Sequence, residues 1–157
     1  MANYISIFSD IIDYYPKHIL KSDEKVFSHK PFQNKWSYQE IIGHLVDSAL
    51  NNHQRFIREQ DQDNLIFQGY DQDYWVRLQN YQSYNLEKLV ALWESSNHLL
   101  LHIFNSMPDE NRYRLHNKHN FDKIAFRIIS RDTPSNLDFL MEDYVCHLQH
   151  HLSIIPG

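Results

Sequence analysis

A chain of 157 residues is long enough for one domain with a substantial hydrophobic core, and we predict a single helical domain over residues 1–157. The net charge of −5, with lysines and arginines scattered singly, argues against a nucleic-acid partner. No apolar stretch is long enough to predict a membrane span and no signal pattern is present, so a cytoplasmic location without a membrane partner is expected.

Three glycines and five prolines favour long elements with few tight turns, and four segments have helical periodicity. The first helix is predicted from about Ile5 to Leu20, and Pro16 is expected to kink or end it. The second begins after Ser37, which forms a predicted capping box with Glu40, and runs to about residue 60.

The second and third helices are separated by a polar and aromatic connection over residues 61–84. A connection this long allows the two helices to run parallel instead of antiparallel, and it is often functional. Two roles are open for Asp71, Asp73 and Trp75 in this connection. They could line the mouth of a pocket, or they could cap a helix and pack the connection against the bundle. The third helix is predicted from Asn85, its N-cap, to a point before Pro108.

Residues 108–133 are predicted to be irregular, with a short extended piece over residues 124–129. The fourth helix is predicted to begin at Thr133 as N-cap and Pro134 as its first residue, and to end at residues 156–157. The single cysteine, Cys146, excludes an intramolecular disulfide and falls in the apolar pattern of this helix, which favours a buried, unreactive thiol. Four helices in one domain predict an all-α four-helix bundle.

Eleven histidines are the unusual feature of the composition. His147 and His151 are four residues apart on the fourth helix, so both can reach one metal ion from the same face. They lie on the predicted inward stripe Leu137, Leu140, Tyr144, His147, His151 and Ile154. Two adjacent buried imidazoles need polar partners, and a shared metal ion would satisfy both. His98 and His102 have the same spacing but are predicted to lie near solvent.

A third ligand is sought on a neighbouring helix. His44 lies at the edge of the inward face of the second helix, whereas its competitor His53 has solvated neighbours. His150 points about 100° away from His151 and is expected at the rim. The spacing alone leaves open whether these histidines bind a metal ion or make ordinary hydrogen bonds.

Three stretches of the chain resemble the DinB/YfiT-like superfamily, in the order that the family has them. They are residues 35–48 (KWSYQEIIGHLVDS), 69–76 (GYDQDYWV) and 143–152 (DYVCHLQHHL). The resemblance extends over about residues 30–155 and implies a bundle of up-down-down-up connectivity with a metal triad at His44, His147 and His151. The chain departs from the family pattern at Ser153 and Ile154, where members often have glutamine.

Three neutral imidazoles leave at least one open position on a divalent ion, which is typical of catalytic sites. Nitrogen ligands suit zinc or nickel, and also iron or copper. Asp47 and Asp143 lie one turn from His44 and His147 and could accept a ring N–H, although solvated carboxylates would show the same spacing. Tyr144 either donates to a bound ligand or belongs to the core.

The resemblance implies thiol S-transferase activity in some relatives and metal-dependent hydrolysis in others. The sequence therefore predicts a metal-dependent enzyme that acts on a small molecule, either by transfer to a low-molecular-weight thiol cofactor or by hydrolysis. The alternatives are a metal-binding or stress-response protein without turnover and a metal-free helical interaction module. Exposed apolar helix faces are compatible with a homodimer.

Overall fold

The computed structural model describes residues 3–156, so Met1, Ala2 and Gly157, at the ends of the predicted domain, lie outside the described residues. The helices are α1 (Asn3–Ile19), α2 (Glu24–Ser28), α3 (Tyr38–Arg58), α4 (Gln72–Gln79), α5 (Leu86–Ser106), α6 (Asp109–Arg112), α7 (Phe121–Ile124) and α8 (Leu137–Leu152). A 3-10 turn, Tyr81–Ser83, lies between α4 and α5. The all-α class is confirmed, and none of the helices within residues 3–156 is long and apolar enough to cross a membrane.

The four long helices α1, α3, α5 and α8 form the bundle, and contacts near their ends give their directions. Phe56 and Phe104, both near helix C-termini, pack with ring centroids 5.0 Å apart, so α3 and α5 run parallel. Tyr4 at the start of α1 donates to Asp138 at the start of α8 (2.6 Å), so these two also run parallel. Phe8, early in α1, packs 5.3 Å from Phe104, late in α5. The connectivity is therefore up-down-down-up, as predicted.

The predicted start of α3 is confirmed, whereas that of α8 is wrong. The Ser37 hydroxyl accepts from the Glu40 N–H and the Glu40 carboxylate accepts from the Ser37 N–H, which completes the capping box. The N-cap of α8 is Asn136 instead of Thr133. Ser135 exchanges two backbone hydrogen bonds with His116 (2.8 and 3.1 Å), and this bridge keeps the chain extended up to the true N-cap.

The end of α1 agrees with the prediction, because the helix continues past Pro16 and ends at Ile19, one residue before the predicted Leu20. The end of α8 differs, since this helix ends at Leu152 instead of reaching residue 156. Over residues 124–129 the structure assigns no strand, although Ala125, which follows the end of α7 at Ile124, has an extended backbone. The backbone N–H groups of Phe126 and Arg127 donate to the carboxylate of α8 residue Asp143 instead of pairing with another strand.

The connection between α3 and α5 folds back onto the start of α3. The Tyr81 ring lies directly on Gly43, where any Cβ would overlap it, so this close contact requires glycine. Asp71 is the N-cap of α4, accepting from the Tyr74 N–H at 2.9 Å, and Trp75 packs 4.6 Å from Tyr70. The capping and packing alternative therefore holds for Asp71 and Trp75.

Candidate metal centre

His44, His147 and His151 meet where the second turn of α3 packs against the last turns of α8. One ring nitrogen from each residue lies within 4.8 Å of the others. The Nε2 atoms of His44 and His147 are 3.1 Å apart. His44 is fully buried and the other two are half-buried. The structure thus brings together the three residues that the sequence selected as candidate ligands.

The spacing of the nitrogens fits a shared ion. Two nitrogens bound tetrahedrally to one zinc ion at about 2.0–2.1 Å lie about 3.4 Å from each other. The separation of 3.1 Å between His44 and His147 is close to this value, and the limit of 4.8 Å for the group requires only a small movement to complete the site. The donor set of three imidazoles suits a divalent metal ion.

The surroundings keep all three imidazoles neutral. Burial, followed by the charge of His151, lowers the pKa of His44 to about 3. Burial and the neighbouring His150 lower the pKa of His151 to about 4. Burial and the other three histidines hold the pKa of His147 well below its ordinary value. At neutral pH each ring therefore keeps the free lone pair that a metal ion requires.

Ser48 and Trp36 are neighbours of the triad that sequence reasoning missed. The Ser48 hydroxyl lies 3.4 Å from Nδ1 of His147, and the Trp36 ring packs 5.0 Å from the ring of His44. Ser48 follows His44 by four residues, about one helical turn, on the same buried face, and this spacing is the signal that could have identified it. Nδ1 of His44 is buried without a hydrogen-bond partner among the described residues.

Asp47 has partners other than an imidazole. Its Oδ1 accepts from the Tyr81 hydroxyl (2.7 Å) and from the Gln79 side chain (2.8 Å), and these bonds hold the long connection against α3. Burial raises the pKa of the Asp47 carboxyl, an effect that the two hydrogen bonds oppose. Its predicted contact with a ring N–H is thus replaced by contacts with residues that lie far away in sequence.

Asp143 and Tyr144 also form hydrogen bonds with groups other than the imidazoles. The Asp143 carboxylate accepts from the backbone N–H groups of Phe126 (2.8 Å) and Arg127 (2.7 Å). The Tyr144 hydroxyl donates to Oδ1 of Asn97 at 2.6 Å in the core. Neither residue contacts an imidazole through a described hydrogen bond, so both act here by fixing the elements around the triad.

The remaining histidines and the cysteine follow the sequence pattern in part. His98, His102 and His150 are exposed, as predicted, and His53 is half-buried. Cys146 is half-buried, and burial raises the pKa of its thiol. Ile154, placed on the inward stripe, is 48% exposed because α8 has already ended. His116 and His119, in the segment that was predicted to be irregular, are buried.

A cavity of about 290 Å³ lies beside His147, at the edge of the triad. Ser48, Arg55, Tyr70, Lys123, Asp143 and Tyr144 are among its lining residues. Asp71, Asp73 and Trp75, which were considered for the pocket mouth, are not among the described lining residues of this cavity. Tyr70 and Gln72 of the same segment line it instead.

Comparison with solved structures shows which fold this is. The chain matches YfiT from Bacillus subtilis, described as a probable metal-dependent hydrolase with an unusual four-helix bundle topology, with a TM-score of 0.76. The match covers 96% of this chain and 80% of YfiT at 16% sequence identity. The chain has the YfiT fold. The resemblance to the DinB/YfiT-like superfamily is confirmed at the level of the fold.

Sequence comparison adds one relative with a short match. A protein of Halalkalibacterium halodurans, BH0277, provisionally named a metal-dependent hydrolase, is 30% identical over 71 residues. The match spans 43% of this chain and 42% of that protein, so the chain covers less than half the length of the curated relative. No family model matches the chain.

Proposed function

We propose that the chain binds one divalent metal ion through His44, His147 and His151 and uses it to hydrolyse a small-molecule substrate. The observation that carries this proposal is the convergence of three neutral imidazoles at the edge of a cavity. Zinc and nickel are the preferred ions for this donor set, and iron and copper are compatible with it. The names of the two compared proteins support hydrolysis.

Two features favour a catalytic site over a sealed metal-binding site. Among residues 3–156, the group of side chains that could hold an ion contains the three histidines and no fourth ligand. The cavity reaches His147, so a substrate has a route to the triad. A metal with three protein ligands and an open position is the arrangement of catalytic zinc sites.

A bound divalent ion would supply a Lewis acid and would lower the pKa of a water molecule at the open position. Ser48 would orient the His147 ring through its Nδ1 atom. Tyr70 would donate a hydrogen bond to the substrate, because burial raises the pKa of its hydroxyl to about 12 and keeps it protonated. The Trp36 ring packs against His44 and would limit the access of solvent on that side.

Transfer to a low-molecular-weight thiol is the second candidate reaction. It would use the same three ligands and the same open position, and it is supported by the superfamily resemblance of the motif around His147 and His151. A thiol cofactor, a homodimer and a cytoplasmic location stay predictions from the sequence.

The test begins with elemental analysis of protein purified without a histidine tag. The zinc- and nickel-loaded forms are then assayed against esters, amides and phosphoesters, and against an electrophile with glutathione or cysteine. We expect hydrolysis that depends on the metal, is lost in H147A and is retained in H98A, which removes an exposed histidine. Turnover that requires the added thiol would instead support transfer, and equal activity in H147A would refute the metal mechanism.

A further inference from the structure

We propose that the substrate carries a carboxylate or phosphate group and that Arg55 binds this anion in the cavity beside the triad. The inference rests on the proposed function, because it assigns a substrate class to the same cavity. It is carried by the position of Arg55, by the absence of a carboxylate partner for it among the described residues and by a second cation in the lining.

Ser48, Asn52 and Arg55 follow one another along the same face of α3, at spacings of four and three residues. Ser48 contacts His147, whereas Arg55 stands seven residues further on, which corresponds to about 10 Å along the helix axis. His147 and Arg55 both line the cavity, so a substrate that fills it can direct its reacting group to the triad and its anionic group to the guanidinium.

The Arg55 side chain is half-buried, and most of its N–H donors have no hydrogen-bond partner among the described residues. One of its terminal nitrogens donates to the backbone oxygen of Gln68 at a long 3.3 Å, and the guanidinium packs 5.6 Å from the ring of Phe67. Among the ion pairs of residues 3–156, none includes Arg55. A guanidinium has five N–H donors in a planar fork that matches a carboxylate or a phosphate. Burial lowers the pKa of Arg55, and a bound anion would offset this cost of desolvation.

Lys123 of α7 brings a second positive charge to the cavity and also has no ion pair in the described structure. Asp143 is the one carboxylate among the described lining residues, and its charge is compensated by Arg127 and two backbone N–H groups. A cavity with two uncompensated cations stands out in a chain of net charge −5. Such a site attracts anions from solution.

The size of the cavity limits the ligand to a small molecule. Its volume of about 290 Å³ lies at the lower end of the range for small-molecule sites. Tyr70 and Asn52 line it together with Arg55 and offer hydrogen-bonding groups. These features fit a short acid or a phosphate ester.

Calorimetric binding of three probes tests the proposal: succinate, methyl phosphate and the neutral succinamide. The metal-free and zinc-loaded forms are both used, because the metal-free form separates the anion site from the triad. We expect the preferred anion to bind at least about ten-fold more tightly than succinamide in both forms. The R55Q substitution should remove this preference and K123Q should weaken it, and the relative affinities of succinate and methyl phosphate identify the anion type.

Arg58, an exposed arginine on the same helix that donates to Gln54, is the matched control. The R58Q substitution should leave anion binding unchanged, and the melting temperature of each variant shows whether it folds. Equal affinities for succinate and succinamide in the wild type would overturn the proposal, as would equal losses in R55Q and R58Q. If the chain holds no metal but keeps an anion preference that depends on Arg55, the hydrolase proposal fails while the anion site is supported.

Discussion

Buried histidines occur in two regions of this molecule, at the contact of α3 with α8 and in the connection between α6 and α8. His119 in the connection is 5% exposed. Its Nε2 lies 2.7 Å from the backbone oxygen of Thr133, and its Nδ1 accepts from the backbone N–H of Phe121 at 3.2 Å. The backbone uses both ring nitrogens, which fixes the proton on Nε2.

The triad uses its nitrogens differently. Nε2 of His44 faces Nε2 of His147, and Nδ1 of His44 has no partner among the described residues. His116 is an intermediate case, because its Nε2 is buried without a described partner but belongs to no group of converging ligands. Burial alone therefore does not mark a metal site. The convergence of several ring nitrogens that the protein does not otherwise satisfy distinguishes the triad from His119.

The largest expected effect is the loss of stability of the metal-free protein in acid. The pKa of His44 is lowered to about 3 and that of His151 to about 4, so the unfolded chain binds protons that the folded chain does not. The free energy of unfolding should therefore fall by several kcal/mol between about pH 6.5 and pH 3. Urea titrations at a series of pH values measure this slope. The H44Q substitution should reduce the pH dependence of the free energy of unfolding, whereas H98Q should not. An unchanged pH dependence in H44Q would contradict the attribution of this effect to His44.

The H147A substitution should weaken metal affinity by more than about 100-fold, because it removes a metal ligand. The loss of a residue that only hydrogen-bonds to a ligand typically lowers metal affinity by about 10–100-fold. Competition with a chromophoric chelator measures the affinity. H119A serves as the control, since both nitrogens of that ring are already used by the backbone. Equal metal binding by H147A and the wild type would show that the triad does not bind the metal ion and does not differ in this respect from the region around His119.

The H119A substitution should lower the free energy of unfolding by about 2 kcal/mol, because it leaves the Thr133 carbonyl and the Phe121 N–H without partners. Its metal content should not change. Chemical denaturation and elemental analysis of the same preparation check both statements. A loss of metal in a folded H119A protein would show that the connection contributes to the site.

The smallest effect is expected from S48A, which removes the hydroxyl 3.4 Å from Nδ1 of His147. Metal affinity should fall by about ten-fold, the lower end of the range for groups that orient a ligand, because the contact is long. N51A, whose side chain bonds the Asp47 carbonyl on the same helix, is the control and should keep full affinity. A chelator titration distinguishes the two variants, and an equal affinity in both would exclude the orienting role.

Local patterns predicted the four long helices and selected the three histidines as candidates, because helix periodicity, the capping box at Ser37 and the i, i+4 pair on α8 are short-range signals. The spacing left open whether those histidines bind a metal ion, and the triad and the connectivity of the bundle were implied by the family resemblance. The start of α8 was misplaced because the bridge between Ser135 and His116 is a long-range contact that overrides a good local N-cap at Thr133. Arg55, one of the neighbours of His53 that were predicted to be solvated, is half-buried because it contacts Phe67 and Gln68 of the connection after α3.

The partners of the two carboxylates could not be predicted either. Asp47 and Asp143 stand one turn from the candidate ligands, as the spacing requires, but their oxygens are taken by Tyr81 and by the backbone after α7. The paths of these two irregular segments follow no periodicity. What the sequence alone identifies is which residues share a helix face, and not which segment crosses that face.

A crystal structure of the zinc-loaded protein with anomalous data at the zinc edge tests the shared metal ion most directly. The account predicts one anomalous peak per chain, about 2.0–2.1 Å from one nitrogen each of His44, His147 and His151. A peak at His116, or zinc confined to exposed histidines with the three rings left facing one another, would contradict it.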